Sequence, residues 1–282
     1  MIDPDEPLRS ARIVVFDTET TGLSATSDHV IEIGALALED GVETGRFESL
    51  IDPGEPIPPE MTAIHGITDA MVRGKPRFPE VAGRFIEFAG DAVLAAHNAP
   101  FDVSMMIVPL RTAGLRPAGN PVIDTCRLAR HLIPAPNHQL ATVARVLGIG
   151  LTSAHRAMAD VEACAGVLRA CLDRMGRDVT LAEIESASRT RLDFGVGPRS
   201  FTPVPEHLAP IEEALRTGGA VEIVYRGGSH GDQPRPITPL FVLVLDGALN
   251  ISAQCHIENA LKNFRLDRIA AARPARRDAP GR

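Results

Sequence analysis

Two short apolar runs in this chain each stop at a cluster of acids, and a third cluster opens a long helical pattern. The first run, residues 12–16 (Arg-Ile-Val-Val-Phe), leads into Asp17-Thr18-Glu19. The second, residues 92–96, leads into His97-Asn98-Ala99-Pro100-Phe101-Asp102. The third cluster, His155-Arg156-Ala157-Met158-Ala159-Asp160, heads a segment rich in Ala, Leu and Met that continues to residue 175. Apolar, β-branched runs of this length predict buried strands. Pro100 predicts a helix start, and the apolar spacing of residues 154–175 predicts a helix. Such clusters meet in one place only if the strands lie side by side and helices cover the sheet.

The local geometry supports one site. Asp17 and Glu19 are two residues apart, so an extended backbone turns both carboxylates to the same face. Asp102 falls in the first turn of its helix, where the helix dipole favours a carboxylate. His155 and Asp160 are five apart and share no clean helix face. His155 is therefore expected from the flexible entry to the helix, and Asp160 from its first or second turn. Four carboxylates and a histidine suit a two-metal phosphodiesterase, in which cations about 3.5–4 Å apart clamp the attacking and leaving oxygens. Hard oxygen ligands favour Mg²⁺ or Mn²⁺, and a histidine can take a proton from water. Each cluster alone has a plainer reading: a strand-end cap for Asp-Thr-Glu, a turn for His97-Asn98. Their order and placement together would need three coincidences.

The remaining pattern continues an α/β layer. Residues 30–38 and 45–51 read as strands around a Glu39-Asp40-Gly41 turn, and a proline-rich loop at 52–59 precedes a short helix near Met61. This predicts a mixed sheet with flanking helices. A length of 282 residues predicts two domains. The boundary falls between 186 and 205, where Gly195, Gly197, Pro198, Pro203 and Pro205 break a polar stretch. Beyond it, a short helix at 207–217 and strands at 220–226, 237–245, 249–255 and 263–269 predict a small β-barrel. The chain from Ala270, with Arg273, Arg276 and Arg277, is expected as a disordered tail.

Charge divides the same way. Residues 1–185 hold 26 acidic and 16 basic side chains, and residues 186–282 hold 10 and 13, which gives the net −7. A basic second half can draw a phosphate backbone that the acidic half repels, or it can be a solvated surface. No run of 18 apolar residues exists and the N-terminus is acidic, so neither a membrane span nor a signal peptide is expected. Cys126, Cys164, Cys171 and Cys255 lack Cys-x-x-Cys spacing, and Cys164 and Cys171 read as buried thiols. A reducing cytoplasm is the expected location.

Residues of about 10–175 resemble the DEDDh exonucleases, the group that includes the epsilon proofreading subunit of bacterial replicases and RNase T. The three motifs are Phe16-Asp17-Thr18-Glu19-Thr20-Thr21-Gly22-Leu23, His97 to Asp102, and His155 to Asp160. Ile64-His65-Gly66-Ile67-Thr68 and Val122-Ile123-Asp124-Thr125 agree as well. The resemblance implies an RNase H-like mixed sheet with flanking helices and two divalent cations. Asp17, Glu19 and Asp160 would hold the first; Asp17, with Asp102 through water, the second. His155 would be the general base. Thr20, Thr21 and Leu23 would line the slot for the terminal nucleotide, Asn98 and Phe101 would contact the strand, and His65 lies in the segment that closes the pocket. The implied reaction is hydrolysis of single-stranded DNA or RNA from a free 3′ end to nucleoside 5′-monophosphates. Asp124 reads as a strand-end cap.

The second region resembles the WYL domain, an Sm- or SH3-like barrel found in bacterial regulators and fused to nucleases. The matching residues are Ile211-Glu212-Glu213-Ala214-Leu215, Val221-Glu222-Ile223-Val224-Tyr225-Arg226, Pro239-Leu240, Asp246-Gly247 and Phe264-Arg265-Leu266-Asp267-Arg268-Ile269. The naming Trp-Tyr-Leu would align with Leu249-Asn250-Ile251, and the chain has no Trp. Arg226, Arg265 and Arg268 are the candidate contacts for nucleic acid or another ligand. The expected division is an exonuclease domain at 8–180, a linker at 181–205, a WYL-like domain at 206–272 and a basic tail at 273–282. Deleting residues 200–282 is expected to keep the chemistry and weaken capture of long strands. A stand-alone repair or RNA-trimming nuclease is the favoured reading; the alternative is a non-catalytic nucleic-acid-binding regulator that keeps the fold.

Overall fold

Buried apolar residues on alternate faces of the central strands build two cores, one on each side of a sheet. The computed structural model describes residues 3–116, 119–150, 156–194, 205–228, 231 and 233–275. His155, Gly195, Gly197, Pro198 and Pro203 lie outside the described residues. Strands β1 (Ile13–Thr20), β2 (Val30–Glu39) and β3 (Val42–Leu50) form an antiparallel meander. Helices α1 (Pro59–His65), α2 (Asp69–Val72) and α3 (Phe78–Ala89) follow. Next come β4 (Val93–Ala96), α4 (Pro100–Thr112) and β5 (Pro121–Asp124), with β4 parallel to both β1 and β5. Then follow α5 (Thr125–Leu132), α6 (Leu140–Val146), α7 (Ala157–Met175) and α8 (Leu181–Ser188). The strand β6 (Thr190–Asp193) ends this half.

The order β3-β2-β1-β4-β5-β6 is a mixed sheet of RNase H-like type. Val14, Phe16 and Leu94 face α3 and α4, where they meet Phe85, Val103, Met106 and Leu110. Ile13, Val15, Ala95 and Ile123 face the other way, onto Leu128, Val161, Leu168 and Ile184 of α5, α7 and α8. Three parallel strands buried on both sides explain why their sequences are continuous apolar runs.

The C-terminal half consists of α9 (Ala209–Thr217), β7 (Val221–Tyr225), β8 (Arg235–Leu245), β9 (Ala248–Cys255), β10 (Ala260–Arg265) and β11 (Ile269–Pro274). These strands pair antiparallel in the order β11-β7-β8-β9-β10. The expected closed barrel is not formed: among the described residues no ladder joins β10 to β11. The single strand expected at 263–269 is two strands, because Leu266–Arg268 make a 3-10 turn that carries the chain from one sheet edge to the other. Ala270 therefore does not begin a tail. Ile269–Pro274 pair with β7, and Arg273 Nε sits 2.6 Å from Glu222 Oε2. Residues 276–282 are outside the described residues.

The stretch expected as a linker at 181–205 contains α8 and β6, and β6 joins the halves. Its end at Leu192 and Asp193 pairs with Val122 and Pro121 of β5. Its start at Thr190 and Arg191 pairs with Leu245 and Val244 of β8. Leu240, Phe241 and Leu243 of β8 share a core with Leu110, Leu192 and Phe194. Arg111 donates to the Leu240 carbonyl at 2.6 Å, and Arg127 pairs with Asp246 at 2.8 Å. No helix among the described residues is long and apolar enough to cross a membrane, and all four cysteines are buried and free.

Candidate active site

β1 does not stop at Phe16 but runs on to Thr20, so Asp17 and Glu19 keep the alternation of a strand. Both point to the side of Ile13 and Val15, toward α7. Asp160 lies in the first turn of α7. One oxygen from each of Asp17, Glu19 and Asp160 lies within 4.8 Å of the others. Thr18, between the two acids, points the opposite way and meets Asp102 of α4. Asp102 Oδ1 accepts from the Thr18 amide at 3.0 Å and from its hydroxyl at 2.8 Å. The structure thus brings all four carboxylates to one strand end.

Their mutual repulsion is large. Burial, then Asp102, Glu19, Asp160 and Glu32, raise the Asp17 carboxyl well above its usual range. Burial, then Asp160, Glu32 and Asp102, push Glu19 up to about 8, with Arg156 pulling the other way. Burial pushes Asp102 to about 7 against the two Thr18 hydrogen bonds. A cation among these groups would relieve that repulsion. The folded, metal-free chain therefore holds protons that the unfolded chain, with ordinary carboxyls, has already lost. Its stability falls as pH rises from the unfolded value near 4.5 through the folded value of about 8 at Glu19. The melting temperature in EDTA is expected to drop across this window. Added Mn²⁺ is expected to raise it more at about pH 8 than at about pH 5.5. An equal increment at both pH values would mean that the cation binds elsewhere.

Two residues that matter here have no place in the motifs. Glu32, on β2 opposite Glu19, is fully buried. It accepts from Arg156 Nη2 at 2.6 Å, from Arg156 Nε at 3.2 Å and from the Ala157 amide at 3.0 Å. It therefore caps the start of α7 and holds the residue next to His155. Gly34, two positions on, lets the helix approach: a Cβ there would lie 2.8 Å from the Ala157 carbonyl carbon. The available signal was one carboxylate within the otherwise apolar Val-Ile-Glu-Ile-Gly-Ala-Leu run, since a buried charge needs a partner.

The remaining candidates divide by exposure. Thr20 and Thr21 are buried, and their hydroxyls shape the turn: Thr20 Oγ1 donates to the Gly22 carbonyl and Thr21 Oγ1 accepts from the His29 amide. The Thr21 amide is spent on the His29 carbonyl. Leu23 is 69% exposed beside them. His65 is buried, with Nδ1 accepting from the Ile67 amide at 3.0 Å. Asn98 is exposed at φ 68°, its amide donating to Asp124, while Phe101 packs partly against the core. Asp124 also accepts from the Cys126 and Arg127 amides, which makes it the cap of α5. His97 Nε2 lies 2.8 Å from the His138 carbonyl and so carries the proton; this side chain braces the loop before α6. In the C-terminal half, Arg265 is neutralised by Asp267 at 2.5 Å. Arg226 and Arg268 are exposed and joined through their backbones.

Asp17, Glu19 and Asp160, with Asp102 alongside, offer only oxygen donors, a set that fits a hard divalent cation. Residues 14–168 match the family model of the RNase T-type exonucleases, and residues 206–274 match that of the WYL domain. The PolC-type DNA polymerase III of Halalkalibacterium halodurans is 43% identical over 215 residues, which is 74% of this chain but 15% of that protein. Exonuclease X, solved in complex with 5′-overhanging duplex DNA, is 28% identical with a TM-score of 0.50, over 61% of this chain and 98% of that one. A structure of exonuclease I has a TM-score of 0.57 at 18% identity, over 86% of this chain and 55% of that one. The shared fold with exonuclease I thus extends past the segment of residues 14–168.

Proposed function

The chain belongs to the RNase T-type exonuclease family and carries a WYL domain behind the nuclease fold, and from this we propose that it is a metal-dependent 3′→5′ exonuclease acting on single strands. The observation that carries the reading is the convergence of Asp17, Glu19 and Asp160 within 4.8 Å, with Asp102 hydrogen-bonded to the residue between the first two. These carboxylates would hold divalent cations, Mg²⁺ or Mn²⁺, which would supply charge against the phosphate and lower the pKa of a water for attack near neutral pH. Asp102 is oriented for that task by Thr18 rather than by solvent. His155, at the entry to α7, takes the proton of the attacking water, and the Glu32–Arg156 pair fixes the chain beside it. Leu23, exposed at the rim, wedges against the terminal base, with Thr20 and Thr21 setting its turn; Asn98, Phe101 and His65 belong to the surrounding wall. The P–O3′ bond breaks and a nucleoside 5′-monophosphate leaves. Repair or RNA trimming is the setting that this reading fits.

The test is a gel time course on 3′- and 5′-labelled DNA and RNA of one sequence, with Mn²⁺, Mg²⁺ or EDTA. A ladder that shortens from the 3′ end, needs metal and disappears in Asp17→Ala is the expected result, and it also reports the preferred sugar. No cleavage of either strand would instead favour a binding protein that keeps the nuclease fold.

A further inference from the structure

The catalytic edge of the sheet continues into the seam between the two halves. Val15 pairs with Ala95, and Ala95 with Ile123. Val122 pairs with Leu192, and Thr190 with Leu245. Asp17, His97, Thr125 and Arg189 lie at one end of this sheet, Thr125 as the first residue of α5 and Arg189 as the residue before β6. The Arg189 carbonyl accepts from the Asp246 amide at 2.9 Å. Three strand spacings separate Arg189 from Asp17, about 14 Å along the rim.

A crevice of ≈ 370 Å³ opens at that point, lined by Glu185, Ser186, Arg189, Thr190, Arg191, Val244 and Gly247. Glu185 is the one carboxylate in this lining. Arg127, from the first turn of α5, reaches the hairpin turn beside it and meets Asp246, which is 68% exposed. Arg189 Nη2 donates to the Asp246 carbonyl, not to its carboxylate. Three guanidinium groups, those of Arg127, Arg189 and Arg191, thus gather at the seam with Glu185 and Asp246, while the neighbouring cleft carries four carboxylates.

Resting on the exonuclease reading, we infer that this interdomain seam is a phosphate-binding subsite for the substrate strand, a few nucleotides upstream of the 3′ end held at Asp17. Arg189 grips the backbone, with Arg191 beside it in the lining, and Asp246 holds Arg127 in reserve at the mouth. The contact is to phosphate, so it is indifferent to base sequence and adds to the salt dependence of binding. A strand too short to reach the seam does not feel it.

The experiment measures anisotropy of labelled oligothymidylates, a trinucleotide and a dodecanucleotide, on full-length Asp17→Asn protein over a salt series. Turnover of ribo- and deoxyribo-trinucleotides by the wild type is run in parallel, and absence of both would sink the exonuclease reading while leaving the binding comparison intact. Arg189→Glu is expected to weaken the dodecanucleotide about tenfold. It should also flatten the salt slope by about 0.7 per lost phosphate contact, with the trinucleotide unchanged. Arg189→Lys should recover most of the loss. Asp246→Asn keeps the carbonyl contact but releases Arg127, and should tighten the dodecanucleotide about two- to threefold, a gain that a merely structural role cannot produce. If Arg189→Glu fails to fold, Asp246→Asn decides alone. Long-to-short affinity ratios that match the parent in every folded variant would overturn the subsite.

Discussion

A chain cut after residue 199 is expected to lose cooperative folding, not only its grip on long strands. The sequence alone led to the opposite expectation, because the halves look separable around the Gly- and Pro-rich stretch. The structure removes that separability: Leu240, Phe241 and Leu243 are part of the core that contains Leu110, Leu192 and Phe194. The cut strips all three from it and leaves half of β6 unpaired. Each large-to-small change in such a core costs about 2–5 kcal/mol, against a total stability of about 5–15 kcal/mol. Thermal unfolding by circular dichroism, with sedimentation to detect aggregation, measures the effect. A sharp transition of the cut chain near that of the full protein would show that the shared core contributes little.

Gly34→Val is expected to cost about a hundredfold in kcat without touching a ligand or the substrate. The added Cβ would stand 2.8 Å from the Ala157 carbonyl carbon and 2.9 Å from the Met158 amide nitrogen. Both are backbone atoms, so no side-chain rotation relieves the clash and the start of α7 must move away from β2. Asp160 travels with that turn, away from Asp17 and Glu19. A misplacement of about 1 Å in a catalytic group costs a rate factor of this order. Single-turnover hydrolysis of a short labelled strand, together with a Mn²⁺ titration, measures it. The Mn²⁺ midpoint should rise in parallel with the loss of rate. Gly83→Ala, whose Cβ meets nothing within 4 Å, is the control and should behave as wild type. A Gly34→Val enzyme with normal rate and normal Mn²⁺ midpoint would mean that α7 is free to tilt without moving Asp160.

What the sequence made legible was local. Asp17 and Glu19 follow an apolar run within β1, Asp102 and Asp160 lie in the first turns of α4 and α7, and an acid just after an apolar run or just inside a helix start is visible in a short window. Asp124 could be read as a cap for the same reason, and its three backbone partners bear this out. Glu32 and Gly34 were hidden because their meaning depends on α7, which arrives more than a hundred residues later. β6 was hidden by its composition, Thr-Arg-Leu-Asp, which has the polarity of a loop; only its neighbours on both sides make it a strand. The split of residues 263–269 was hidden because Leu266 and Ile269 are as apolar as a continuous strand requires. The polar break that was visible around Gly195–Pro205 pointed to a boundary, but the strand that joins the two halves comes before it.

β6 has a consequence for which changes in chain length this protein can absorb. Leu192 faces the shared core while Arg191 is partly exposed, and this alternation is set by two partners at once, β5 at one end of the strand and β8 at the other. One residue inserted or lost between Arg189 and Phe194 would exchange the two faces and send an arginine inward on both sides of the junction. No compensating slip is open, because a shift that restores the register with one partner breaks it with the other. Substitutions in this short strand are a matter of degree, but its length is an all-or-nothing property. The join between the halves is the place where the chain's history of insertions and deletions must be blank.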